Sequence, residues 1–288
     1  MPGRMARRFL PALSAAGLAT IALGAQSAPA LPDLLQAGAD YLVRYSQRLS
    51  AIAAQEEYLQ YDTSSRQVRV PRRLSADVVL VGLEDGSIAA FRDVVAIDNV
   101  PVHPRDDRLP RLFAAIPWSS FEEARQLTDD SIKHYLSPNL HTLDQPLIAL
   151  EFLRKANQDR STFSIESVKT VDGVRVAVLR FTERQTPRLV GVTGGGAATG
   201  RFWIEVATGT VRQTEVGISN KRVSVSATVK YAAEPVLDVW LPIDMIQQID
   251  TSGPGSGFSK MGGGPGYDVR MAHEARATYS KFRRLPSR

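Results

Sequence analysis

Histidine, serine and acidic side chains carry much of enzyme chemistry, and in this sequence they lack the spacing that such chemistry requires. The histidines form no H-x-H or H-E-x-x-H pattern and stand apart at His103, His134, His141 and His273. Metal ligands usually follow one another within a few residues, so we predict no metal centre. The G-x-S-x-G and S-x-x-K motifs of serine nucleophiles do not occur. The acidic pairs Asp106-Asp107 and Asp129-Asp130 are adjacent, and adjacent side chains on a helix point about 100° apart rather than converging. We therefore predict no catalytic residue from local motifs.

Two glycine-rich segments, residues 193–200 and 253–266, are similar to phosphate-binding loops in composition only. A phosphate loop takes its positive field and its N–H donors from the helix that follows it, and no helical pattern follows either segment. We predict flexible surface loops here and no cofactor.

The first thirty residues have the order of a secretory signal peptide. Arg4, Arg7 and Arg8 precede an apolar stretch at residues 9–25, and small residues then offer cleavage sites. The stretch is shorter than the ~20 apolar residues of a spanning helix, and Pro11 interrupts it. The sequence thus predicts a periplasmic or secreted protein with one domain at residues 31–288. Cysteine is absent from the sequence, which excludes disulfides and thiol catalysis.

The overall charge does not favour nucleic acid as a partner. The chain has 35 Lys and Arg against 30 Asp and Glu, and removal of the three signal arginines leaves 32 against 30. Binding to nucleic acid usually needs a pronounced basic excess on one surface. We therefore expect no nucleic-acid partner, and membrane contact that is at most transient.

The mature chain begins with a predicted helix and continues as two blocks of strands. The helix has an apolar stripe that includes Leu35, Leu42, Leu49 and Ile52. Alternating apolar residues predict strands at residues 76–83, 87–97, 162–170, 174–182, 222–231, 239–249 and 269–282, and a hairpin at 201–216. No helix separates neighbouring strands within a block, so we expect antiparallel pairing. The pattern predicts an α+β fold with one large antiparallel sheet.

A helical insert at about residues 106–155 separates the two blocks of strands. Ser119 and Ser120, each followed three residues later by glutamate, predict the start of a helix that runs to Leu136. A second helix is predicted at residues 145–155. Apolar residues are so dense there that no broad polar face remains, so this helix should be buried on more than one side.

The hairpin at residues 201–216 also carries a family resemblance. Its Phe202-Trp203-Ile204-Glu205 segment, followed by Thr208-Gly209 and a strand that ends in Glu215, resembles a hairpin of the LolA-like periplasmic lipoprotein-carrier superfamily. The segments at 239–245 and 277–282 resemble the strands that follow this hairpin in those proteins. The resemblance implies a large curved antiparallel sheet, a half-barrel, with helices packed on the concave side around an apolar cavity for acyl chains.

The resemblance leads us to expect an exported, non-enzymatic binding or carrier protein for a lipid, an acyl chain or a lipoprotein. The residues expected to line the cavity come from the second insert helix and the hairpin, and they are Leu147, Leu150, Phe152, Leu153, Phe202, Trp203 and Ile204. The same apolar pattern fits a filled core equally well. Two other functions therefore stay open: an envelope protein that holds a protein partner through a sheet edge or the glycine-rich loops, and a hydrolase whose site is assembled from distant residues.

We predict that export removes the signal and leaves a mature N-terminus between Ser27 and Leu31, because the small residues there follow the apolar stretch directly. The measurement is the intact mass of protein recovered from the periplasm or the medium. Exported protein that retains Met1 would contradict the prediction.

Overall fold

The computed structural model describes residues 28–62, 70–83, 85–115, 120–136, 143–191, 196–221, 223–251 and 271–286. Most of the predicted signal peptide, the glycine-rich segment 253–266 and part of the segment 193–200 lie outside these ranges. Among the described residues, no helix is both long enough and apolar enough to cross a membrane.

One antiparallel sheet of eleven strands organises the molecule, in the order β4-β3-β2-β1-β11-β10-β9-β8-β7-β6-β5. Each block of strands is a meander, and the two blocks join where β1 pairs with β11. The sheet does not close, because β4 and β5 lie at opposite edges. The strands are β1 Ala51–Asp62, β2 Arg72–Gly82, β3 Ile88–Ile97, β4 Val100–Pro101, β5 Ser161–Val171, β6 Val174–Glu183, β7 Ala198–Glu205, β8 Val211–Ser219, β9 Val223–Glu234, β10 Val239–Thr251 and β11 Met271–Arg284.

The first helix, α1 (Leu31–Leu49), covers one face of this sheet, which we call the inner face. Its buried stripe packs against the strands, and the backbone of its last turns comes so close to β2 that a Cβ on Gly82 would lie 1.7 Å from the carbonyl oxygen of Ser46. The predicted stripe extended to Ile52, but the helix ends at Leu49. Ser50 has a φ of 36°, which turns the chain so that Ile52 belongs to β1.

The predicted insert is divided between the two faces of the sheet. Helices α2 (Arg108–Ala115) and α3 (Ser120–Ile132) pack on the outer face of β2 and β3, where Phe91, Phe113 and Phe121 form a cluster with ring centroids 5.3–5.5 Å apart. The family resemblance implied that the helices all pack on the concave side of the sheet. The difference follows from β2, whose continuous apolar run puts buried side chains on both of its faces.

Helix α3 also protects the edge of β3 that β4, with only two residues, leaves open. The hydroxyl of Thr128 accepts a hydrogen bond from the Arg92 N–H at 2.9 Å, and that of Ser131 accepts one from the Val94 N–H at 2.9 Å. Residues three apart on a helix lie on the same side, so both hydroxyls reach the same strand edge. This contact prevents the edge from pairing with another strand.

The second predicted helix of the insert is instead a pair of 3₁₀ helices, Ile148–Leu153 and Lys155–Arg160, separated at Arg154, whose ψ is 138°. The carbonyl of Asp144 accepts a hydrogen bond from Arg92, and the carbonyl of Pro146 accepts one from Tyr231. These carbonyls would accept the first amide bonds of an α-helix. The segment instead forms the tighter i to i+3 turns, in which the Ile148 N–H donates to the Gln145 carbonyl and the Leu150 N–H donates to the Leu147 carbonyl. We call residues 143–160 the inner cover.

The β7–β8 hairpin lies against α1 through its turn. Gly209 has a φ of 74°, and a Cβ placed on it would lie 2.1 Å from the carbonyl oxygen of Ala37. Glu205 is buried beside the turn, where it accepts hydrogen bonds from Thr208 at 2.7 Å and from Arg212 at 2.7 Å. The Thr-Gly pair of the hairpin motif therefore shapes a turn that the helix can contact closely.

We predict that Gly209→Ala lowers the free energy of unfolding by about 2–4 kcal/mol, since the left-handed conformation and the clash with Ala37 each disfavour a Cβ. Gly173→Ala is the matched control, because Gly173 has a φ of 77° but no atom within 4 Å of its Cβ position. We expect the control to lose only about 1 kcal/mol in urea unfolding. Equal losses in the two variants would show that the contact with α1 contributes nothing.

Candidate functional site on the inner face

Six of the seven residues predicted to line a cavity meet on the inner face. Leu147, Leu150, Phe152 and Leu153 of the inner cover and Phe202 and Ile204 of β7 are all buried. Phe152 stacks on Phe181 of β6 with centroids 4.7 Å apart, and Phe181 stacks on Phe202 at 5.1 Å. The inner cover and the hairpin are thus joined by a continuous row of aromatic rings.

Trp203 is the exception among the predicted residues. Successive side chains of a strand point to opposite faces, so Trp203 lies on the outer face while Phe202 and Ile204 point inward. Its Cα partner on β6 is Val178, which is also buried on that face. Trp203 therefore does not share a site with the other six residues.

In the described part of the chain, the inner-face side chains are buried against one another. A small cavity lies at one end, between β1, β10 and β11, with a volume of about 10 Å³. Such a volume holds roughly one water molecule, whereas sites for drug-sized ligands occupy about 300–1,000 Å³. The inner cover therefore occupies the space that a ligand chain would need.

A buried charge cluster holds the inner cover against the sheet. The Arg92 guanidinium of β3 donates to both carboxylate oxygens of Glu56 on β1, at 2.6 and 2.8 Å. It also donates to the Asp144 carboxylate at 2.7 Å and to the Asp144 carbonyl at 2.9 Å. The rings of Tyr58 and Tyr135 lie 5.8 and 5.7 Å from the guanidinium carbon. All three charged side chains are almost completely removed from solvent.

Two carboxylates share one guanidinium, so the cluster carries an excess of negative charge when both are ionised. Burial raises the pKa of Asp144, against the attraction of Arg92. Burial alone would lower the pKa of Arg92, but Glu56, Tyr135 and Asp144 outweigh it and keep the guanidinium pKa well above its ordinary value. Arg92 is therefore a permanent cation, and it forms a fixed anchor between the sheet and the inner cover.

The sequence analysis did not identify this cluster. Its members come from β1, β3 and the start of the inner cover, so no local spacing relates them. A signal was present in each strand, because Glu56 and Arg92 occupy inward positions among apolar residues. A charge at such a position indicates a buried partner, but the strand pattern does not show which charge pairs with it.

A second polar cluster lies on the outer face. Asp77 of β2 and Asp93 of β3 are directly opposite in register. Arg108 donates to both oxygens of Asp93 at 3.1 and 2.7 Å, and Arg105 donates to Asp77 at 3.1 Å. Burial raises the pKa of Asp77, and Arg105 opposes that shift.

His103 stands beside this pair of acids, with both ring nitrogens engaged. Its Nδ1 lies 2.8 Å from the Pro104 carbonyl oxygen, to which it donates, and its Nε2 accepts from Arg108 at 2.7 Å. A ring held in this way has no lone pair left to activate a nucleophile. The outer cluster is best explained as neutralisation of two adjacent acids, and within the described ranges no group of three His, Asp or Glu side chains could hold a metal ion.

Comparison with known proteins gives similarities at the level of the fold. No family model and no curated protein sequence matches the chain. Among solved structures, the chain is similar to a domain provisionally named as an outer membrane lipoprotein-sorting protein from Vibrio parahaemolyticus, with 9% identity, a TM-score of 0.42 and coverage of 86% of this chain and 91% of that one. A DUF1329 family protein from Desulfovibrio piger matches with 12% identity, a TM-score of 0.39 and coverage of 87% and 93%. A LolA superfamily protein from Nitrosomonas europaea matches with 11% identity, a TM-score of 0.33 and coverage of 86% and 94%.

The α+β architecture with one large antiparallel sheet, which the sequence predicts, is confirmed. One large antiparallel sheet stays open, and helix α1 covers its inner face. At these identities the likeness concerns the fold alone.

We predict that Arg92→Met lowers the free energy of unfolding by about 3–5 kcal/mol, because it leaves two buried carboxylates without a counter-ion. Arg73→Met on the adjacent strand is the control: its ion pair with Glu57 spans 3.8 Å, and both side chains are about half exposed. That exposed pair should contribute less than about 1 kcal/mol. Urea unfolding measures both variants, and similar losses would contradict the role assigned to Arg92.

Proposed function

We propose that this protein is an exported, non-enzymatic carrier that binds a hydrophobic ligand, such as a lipid or the acyl chain of a lipoprotein, on the inner face of its sheet. The observation that carries the proposal is the nature of the inner cover. An apolar sheet face is closed by a short 3₁₀ segment that contributes no strand to the sheet. The ligand-binding surface consists of Leu147, Leu150, Phe152, Leu153, Phe202 and Ile204, and Trp203 is left out because it lies on the opposite face.

The inner cover is held to its surroundings by polar contacts along its length besides its apolar side chains, among them those of Glu151 with Ile88 and of Arg154 with Asp85. Arg92 binds Asp144, and the hydroxyl of Tyr231 on β9 donates to the Pro146 carbonyl at 2.7 Å. The amide of Gln158 donates to carbonyls of Leu35 and Leu153, each at 2.9 Å. The inner cover contributes no strand to the sheet, so once these contacts open it can move away from the sheet without breaking any strand pairing.

Movement of the inner cover would replace one set of apolar contacts by another. The leucine and phenylalanine side chains now on the sheet contribute roughly 1.5–3 kcal/mol each through burial, and an acyl chain on the same surface regains about 0.8 kcal/mol per buried CH₂. The ligand therefore shifts the molecule toward an open state by its greater affinity for that state. The filled inner face corresponds to the closed state of this equilibrium.

The rest of the proposal comes from the sequence. The predicted signal peptide supports a location in the periplasm or outside the cell, where acyl chains need a protein to cross water. The inner cover and the sheet shield such a ligand from water. The protein then contacts a membrane only when it takes up or releases the ligand. No reaction is required, which agrees with the hydrogen-bonded state of both His103 nitrogens.

An alternative function, an envelope protein that holds a protein partner, is favoured by the filled inner face. If the inner cover never leaves the sheet, the apolar residues are ordinary core. Strand β5 would then be the natural contact, since it forms one edge of the sheet. An extended segment of a partner adds to such an edge by main-chain hydrogen bonds.

We predict that the protein binds the apolar probe N-phenyl-naphthylamine and that Asp144→Asn binds it several-fold more tightly, since loss of the charge on Asp144 weakens the hold on the inner cover. Asp238→Asn is the control, because Asp238 pairs with Arg48 at 3.2 Å in an exposed position. Fluorescence titration measures the three affinities. If the probe bound to neither the wild type nor Asp144→Asn, the carrier proposal would be contradicted and the protein-partner alternative would remain.

A further inference from the structure

The small cavity at one end of the inner face has mostly apolar walls, but two polar side chains with buried nitrogen atoms, Gln247 and His273, border it. A cross-strand row of inward residues forms its floor: Gln60 of β1 pairs with Ala275 of β11, and Ala275 pairs with Gln247 of β10. The methyl side chain of Ala275 stands between two longer side chains, which leaves the space open. Leu136 closes the cavity from above, and its N–H donates to the Gln60 Oε1 at 3.3 Å.

Two buried nitrogen atoms at this cavity have no hydrogen-bond partner among the described residues. Gln247 is fully buried, and its Oε1 accepts a 2.6 Å hydrogen bond from the Tyr58 hydroxyl, which orients the amide. The Nε2 of Gln247 and the Nδ1 of His273 have no partner in the part of the chain that the structure describes. A buried donor without a partner is unfavourable by about 1–3 kcal/mol, so an acceptor is expected to complete it.

The surroundings favour an acceptor over a donor. Burial lowers the pKa of His273, against the opposing effect of Asp62, so the ring is neutral near pH 7, and its Nδ1 donates in the tautomer that carries the proton there. Arg72 of β2 lies next to Gln60 in register on the same face, and its Nε is buried without a partner within the described ranges. Directly opposed side chains lie about 4.5–5.5 Å apart at Cβ, so the guanidinium adds positive potential beside the row.

The cavity has room for one atom of the size of an oxygen. Its volume is about 10 Å³, which matches a water molecule and is too small for a phosphate group. Two residues along the same strands toward the middle of the sheet, the inner face carries Ala277 and Met245, which are both fully buried. An acyl chain that left the cavity in this direction would meet apolar surface at once.

We propose that the cavity formed by Gln60, Gln247, His273 and Ala275 binds the carbonyl oxygen of an acyl ligand, either the carboxyl group of a fatty acid or the ester of an acylated molecule. The Gln247 amide and the His273 ring donate to this oxygen, and the chain lies along the inner face. The site fixes which end of the ligand enters the molecule. This inference depends on the proposed carrier function, because it assigns the position of the head group of the same ligand.

The test is displacement of bound N-phenyl-naphthylamine by decanoic acid, by methyl decanoate and by a hydrocarbon of matching length, using the full mature chain. In Gln247→Glu the new side chain still accepts from Tyr58 but has no N–H to donate. We expect the acid and the ester to bind about 3- to 10-fold more weakly to this variant, the equivalent of one hydrogen bond, and the hydrocarbon to bind unchanged. Gln248→Glu makes the same change at the exposed neighbouring position and should bind all three as the wild type does.

Ala275→Val fills the cavity with methyl groups and leaves the amide of Gln247 intact. This variant tests the same site if Gln247→Glu fails to fold. We expect the same selective loss for the acid and the ester. One result would overturn the site but leave the carrier function in place. In it the wild type binds the compounds, and neither variant binds the acid and the ester more weakly than the wild type does relative to the hydrocarbon. Wild type that binds none of the compounds and no probe would overturn both.

Discussion

The Arg92 guanidinium joins three parts of the molecule that are far apart in the sequence. Through Glu56 it contacts β1, the strand at which the two blocks of the sheet meet, and through Asp144 it contacts the start of the inner cover. Its own strand is fixed at the edge by two hydroxyls of α3. A buried cation loses its partners only with a large penalty, so these three parts keep one relative position as long as the inner cover stays on the sheet. The apolar contacts of the inner face then add to an arrangement that the charge cluster has specified.

The same arrangement explains why a filled inner face and a binding function are compatible. The sheet itself is held by strand pairing from β4 to β5, and this pairing does not depend on the inner cover. The inner cover depends on the sheet, through the ring of Phe152 on Phe181 and through the carbonyls of Asp144 and Pro146. The inner cover lies over an apolar surface that the strands form. Polar groups at the ends of that surface, at Arg92 and at Gln247, would determine where a ligand can enter and how it lies.

Much of the sheet could be predicted from sequence because antiparallel strands joined by short turns are local structures. The turn at Asp172-Gly173 and the alternation on either side predict β5 and β6 within one residue at each end. Strand β1 was missed, since its polar residues Gln55, Glu56, Glu57 and Gln60 obscure the alternation. Two of these residues are polar for tertiary reasons: Glu56 binds Arg92, and Gln60 holds Leu136. The helix predicted at 145–155 was wrong in type, since the segment forms 3₁₀ turns, and the carbonyls just before the first 3₁₀ helix accept hydrogen bonds from Arg92 and Tyr231.

The sequence by itself determined the fold class, the positions of most strands and the apolar character of the residues that meet on the inner face. These properties depend on periodicity and on turn residues, which act over a few positions. Only the tertiary structure decided that α2 and α3 lie on the outer face and that Glu56, Arg92 and Asp144 form one cluster. The physical reason is that charged groups and hydrogen-bond donors pair with groups on other segments of the fold. The separation of two segments along the chain does not show how far apart they lie in space.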